Sequence, residues 1–92
     1  MEPLVLTGVI FKDEDGIFVS HCHELDIETC GESLEELRHR TESMIRSYFK
    51  ACQKLGTYEQ ILRRLNATTT VLALDPSMLP FRTNFEYKHA RI

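Results

Sequence analysis

The segment from Ser33 to Gly56 constrains this chain more than any other. Ser33 and Glu36 form an S-x-x-E capping box, in which each side chain satisfies a backbone donor that the first helical turn leaves open. Behind it, Leu34, Leu37, Thr41, Met44, Ile45, Tyr48, Phe49, Cys52 and Leu55 recur at helical spacing. Glu35, Arg38, Arg40, Glu42, Arg46 and Lys50 fall mainly on the opposite side. Gly56 stands where a left-handed stop belongs. The result is an amphipathic helix of about six turns. A helix with one apolar stripe must bury that stripe against something else, so the rest of the chain has to provide a second layer.

The preceding residues supply it. Leu4 to Lys12 reads as a strand, and Asp13-Glu14-Asp15-Gly16 as a hairpin turn, with Gly16 providing a positive φ. Ile17 to Cys22 returns as a second strand, with Ile17, Val19 and His21 on one face and Phe18, Ser20 and Cys22 on the other. His23 to Asp26 forms a turn, and Ile27 to Cys30 a short third strand ended by Gly31. After the long helix, Thr57 and Gln60 repeat the capping pattern before Ile61, Leu62 and Leu65, giving a short helix closed by Asn66. Thr68 to Leu74, rich in β-branched residues, reads as a final strand. The expected fold class is α+β. One domain over residues 1–75 holds a three-stranded antiparallel meander, a long amphipathic helix, a short helix and a final strand, and residues 76–92 form an extended C-terminal arm.

Charge narrows the function classes. The 92 residues carry a net charge of −3 and a pI near 5.8, the wrong sign for a protein that displaces phosphate counterions. Direct nucleic-acid binding is therefore not expected. The apolar runs fall far short of the roughly 20 residues of a membrane span, and Met1-Glu2-Pro3 does not begin a signal peptide. The expectation is a cytoplasmic protein with no membrane association. Cys22, Cys30 and Cys52 are odd in number and unrelated in context, so no disulfide framework is expected.

The stretch from Val9 to Leu37 resembles the HicB-like antitoxin family. Val9-Ile10-Phe11-Lys12-Asp13-Glu14-Asp15-Gly16-Ile17-Phe18-Val19 is similar to that family's opening hairpin. His21-Cys22-His23-Glu24-Leu25-Asp26-Ile27 is similar to its Cys-Pro-Glu-Leu type of segment. Thr29-Cys30-Gly31-Glu32-Ser33-Leu34-Glu35-Glu36-Leu37 is similar to its helix start. The resemblance spans Leu4 to Leu55. It implies a degraded ribonuclease-H-like fold without a catalytic centre, and a partner that is a small basic ribonuclease toxin. His23 departs from the family's usual proline. Many members also append a DNA-binding domain, and the stretch after Leu74 is shorter than one requires. Operator binding is thus not implied.

Each candidate for chemistry has a simpler structural alternative. His21, Cys22, His23 and Cys30 are zinc-ligand types, but they lack a C-x-x-C or H-x-x-x-H pair, and residues 21 and 22 face opposite ways. Glu24, Asp26 and Glu28 have the carboxylate character of a two-metal nuclease site. They equally suit an acidic sheet edge that deters stray pairing or receives a basic partner. Cys52 sits on the helix stripe as a core thiol. Ser20, Ser33 and Ser43 lie in no nucleophile motif, and Arg63-Arg64 suits a helix C-terminus. Phe81, Phe85 and Tyr87 either fold back over the sheet or pack on a neighbouring chain, which makes a homo-oligomer an expectation. No cofactor and no enzymatic activity are expected. The competing readings are a metal-dependent nuclease or hydrolase with a vestigial site, and a structural homo-oligomer.

Overall fold

A computed structural model describes residues 3–88. The expected fold class holds: among the described residues four strands and three helices form an α+β unit. The elements run β1 (Leu4–Lys12), β2 (Phe18–Cys22), β3 (Ile27–Gly31), α1 (Leu34–Leu55), α2 (Tyr58–Arg64), α3 (Thr69–Leu72) and β4 (Phe81–Tyr87). The sheet order is β3-β2-β1-β4. β1–β2 and β2–β3 are antiparallel, as the expected meander requires. The first turn is tied by Asp13, whose carboxylate accepts from the Asp15 and Ile17 amides at 2.9 Å.

The closing strand lies elsewhere than expected. Thr68–Leu74 does not extend. The Thr68 hydroxyl accepts from the Val71 amide and caps one helical turn, α3. A capping hydrogen bond at Thr68, and burial of Val71 to 2% exposure, outweigh the β-propensity of the threonines. The final strand instead comes from the C-terminal arm. Phe81–Tyr87 lies parallel to β1, with Leu4 opposite Phe81 and Ile10 opposite Tyr87. The arm is thus part of the sheet, while its last residues, 89–92, and Met1-Glu2 lie outside the described residues.

Helix α1 behaves as its caps dictate. The Ser33 hydroxyl accepts from the Glu36 amide, the Glu36 carboxylate accepts from the Glu32 amide, and Gly56 closes the helix at φ 77°. Its buried stripe is narrower than the sequence pattern: Leu37, Thr41, Ile45, Phe49 and Cys52 are buried, while Leu34, Met44 and Leu55 are largely exposed. The first turn lies close against β3 because Gly31 has no Cβ; one built there would stand 2.8 Å from the Leu37 nitrogen. Thr57 corrects a second expectation. Its hydroxyl does not cap α2 but donates to the Cys52 carbonyl at 3.4 Å. Asn66 does close the α2 region, at φ 61°.

The core lies between one sheet face and the helices: Leu4, Leu6 and Cys22 from the sheet, Ile45 and Phe49 from α1, Leu62 from α2, then Val71 and Leu79. Within it Ser20, Thr29 and Thr41 bond mutually, at 2.6, 2.9 and 2.6 Å, so all three hydroxyls are satisfied. Arg46 fastens the last stretch to α1. Its guanidinium donates to the Pro76 and Leu79 carbonyls and stacks 4.5 Å from the Phe81 ring centre. Among the described residues no helix is long and apolar enough to cross a membrane.

Candidate partner-binding face

All three helices pack on one side of the sheet. Successive strand residues alternate in direction. Since Leu4, Leu6, Ser20 and Cys22 face the helices, Val5, Thr7, Val9, Phe11, Val19 and His21 face away. The strand register gathers the latter into rows: Val9 beside His21 beside Glu28, and Phe11 beside Val19 beside Cys30. Val9, Phe11 and Val19 are half-buried and form an apolar centre. Sequence reasoning placed Val19 and His21 on one face but did not read this face as a site. A usable signal was present: β1 is apolar on both faces, whereas a strand with one solvated face alternates apolar and polar.

The acidic residues of the 23–28 turn divide into two roles. Glu24 is held against β1, accepting from the Thr7 amide at 2.8 Å and the Thr7 hydroxyl at 2.5 Å. Partial burial disfavours its charge. The Thr7 hydroxyl and amide, its own amide and the Cys22 thiol outweigh that penalty and hold its carboxyl below the ordinary range. Glu24 therefore joins the turn to β1. Asp26 and Glu28 point into solvent, with side chains 90% and 70% exposed. Asp26 adopts a left-handed backbone at φ 53°, which aspartate tolerates better than most residues.

His21 stands between these two acids. Its Nε2 lies 3.5 Å from Asp26 Oδ1 and its Nδ1 lies 3.5 Å from Glu28 Oε2. The Nδ1 atom is buried and makes no hydrogen bond. The His21 and His23 rings meet edge to face with centres 5.8 Å apart. Of His21, Cys22, His23 and Cys30, only the two histidines come together. Cys22 is fully buried on the helix side, where burial pushes its thiol upward, and Cys30 is exposed at the β3 edge. Among the described residues no three His, Cys, Asp or Glu side chains are grouped to hold a metal ion.

The other candidates are dispersed. Ser20 belongs to the buried hydroxyl cluster, Ser33 is the helix cap, and Ser43 is exposed on α1. Cys52 is buried at 7% exposure. Arg63 pairs with Glu59 at 2.6 Å, and Arg64 is exposed in the last turn of α2. Phe81 and Phe85 fold back onto the helix side: Phe81 meets Phe49 edge to face at 6.5 Å, and the Phe85 ring fills the space before Gly8. Tyr87 is half-exposed. Neither the protein-family models, nor the curated proteins, nor the solved structures contain a match to this chain.

Proposed function

We propose that this chain is a non-catalytic protein-binding module, the partner-binding domain of a HicB-like antitoxin, and that its uncovered sheet face receives a small basic ribonuclease. One observation carries the reading: an apolar centre of Val9, Phe11 and Val19 bordered by the exposed acids Asp26 and Glu28. An apolar core with a charged rim is how protein interfaces are organised. Acidic rim charges steer a basic partner and fix its orientation. The resemblance along Val9–Leu37 supplies the identity of that partner. Beside the face, Glu24 has a structural task, bracing Thr7 of β1.

Co-expression with a small basic ribonuclease of the kind the resemblance implies tests this. The expected result is that the two proteins co-purify and that this chain restores the growth the ribonuclease suppresses. Asp26→Lys with Glu28→Lys slows association and weakens it most at low salt, while Phe11→Asp abolishes it. Absence of both complex and rescue rejects the antitoxin reading.

A further inference from the structure

The two edges of the sheet are guarded unequally. β3 is five residues long, and the Arg40 guanidinium donates to its Cys30 carbonyl at 3.2 Å, occupying a backbone acceptor at that edge. Short length and covering side chains are how proteins blunt an edge. β4 is seven residues long and contains no proline.

The direction of the free groups follows from the ladder. Lys88 N–H donates to the Ile10 carbonyl, and Leu4 N–H donates to the Pro80 carbonyl. In a parallel pair alternate residues turn to the same neighbour, so even-numbered residues of β4 serve β1. Thr83 and Phe85 therefore direct N–H and C=O outward. Such an edge is a template for another strand.

The side chains show which strand fits. Arg82, Asn84 and Glu86 alternate on the face away from α1. A two-fold axis through Asn84 sets Arg82 opposite Glu86 of a second copy, and Glu86 opposite its Arg82. Thr83 and Phe85 then form the hydrogen-bonded pairs. The neighbouring registers lose this match: centring on Thr83 sets Arg82 against Asn84, and centring on Phe85 sets it against Lys88. Opposite charges directly across an antiparallel pair stabilise it and like charges oppose it. The exposed Glu86–Lys88 contact, 3.3 Å within one chain, competes little, because such surface pairs are weak.

We propose that two copies of this chain join β4 to β4, antiparallel about Asn84, merging their sheets into one of eight strands. This surface is separate from the partner-binding face and does not depend on its assignment.

Light scattering across a range of protein concentrations should show a species twice the 10.7 kDa chain mass. The residues at the two-fold axis form a non-hydrogen-bonded pair with Cα atoms about 4.5 Å apart, within disulfide reach. Asn84→Cys, with Cys30→Ser to remove the exposed thiol, then cross-links under mild oxidation, whereas Arg82→Cys does not. Arg82→Glu weakens the dimer by about tenfold, and Arg82→Glu with Glu86→Arg restores it. Thr83→Pro removes an outward N–H that β1 does not use, so it gives a folded monomer by circular dichroism. A single-chain mass at the highest concentrations overturns the proposal. So does a dimer indifferent to Thr83→Pro and to the charge reversal, or one cross-linked equally by Arg82→Cys.

Discussion

The two faces of the sheet are built from similar residues and finished differently. On the helix side Leu6, Cys22, Ile45 and Phe49 have no exposure, and even the hydroxyls of Ser20, Thr29 and Thr41 are bonded to one another. On the far side Val9, Phe11 and Val19 are only half-buried, and His21 Nδ1 has no hydrogen bond. A completed face contributes to stability, whereas an uncompleted one keeps apolar surface whose burial can still drive association.

A pair of phenylalanines gives the largest test. Phe49→Ala should destabilise the fold by about 3–5 kcal/mol in urea unfolding, the usual cost of emptying a packed aromatic site. Phe11→Ser should cost less than about 1.5 kcal/mol while removing partner binding. Equal losses would mean that both faces are structural. Next in size, Thr41→Ala withdraws a hydroxyl from buried Ser20 and half-buried Thr29 and should cost about 1–3 kcal/mol. A neutral result would show the hydroxyl cluster to be incidental. The smallest effect concerns acid. Glu24 has a lowered folded pKa, so its contribution is fully present above the unfolded value and is lost as pH falls through the folded one. Glu24→Gln should flatten the acid limb of the stability curve below about pH 4 and leave stability near neutrality only modestly reduced. An unchanged acid limb would place the pH response in other carboxylates.

What could be read from sequence was mostly local. Ser33, Glu36 and Gly56 bracket α1 because capping depends on residues within one turn of each other. The hairpin was similarly legible, since Asp13 and Gly16 specify it together. The stretch after Asn66 was not. Four β-branched residues at Thr68–Val71 favour a strand by propensity, and only the Thr68 cap and the buried site for Val71 decide otherwise. β4 was missed for the converse reason. Phe81, Thr83, Phe85 and Tyr87 alternate with Arg82, Asn84 and Glu86, a strand pattern in full view. Its partner, however, is at the opposite end of the chain, and nothing local announces a parallel neighbour. In the candidate site, the sequence showed the acids of the turn but not their division of labour. Glu24 turns to Thr7, while Asp26 and Glu28 stay exposed beside His21, at distances that spacing does not encode.

The placement of β1 has a consequence for synthesis. It is made before the other three strands described here, and it ends as an interior strand with β2 on one side and β4 on the other. β2 follows at once, but β4 emerges from the ribosome only after both the long helix and the α2–α3 region. Throughout that interval the nascent chain carries β1 as a bare flank, apolar on both sides, which is the state in which growing chains adhere to one another. Arg46 waits in α1 to seize the Pro76–Leu79 segment as it appears. The arrival of β4 thus ends this vulnerable period for β1, and a ribosome stalled before Phe81 would leave a fragment suited to capture by chaperones.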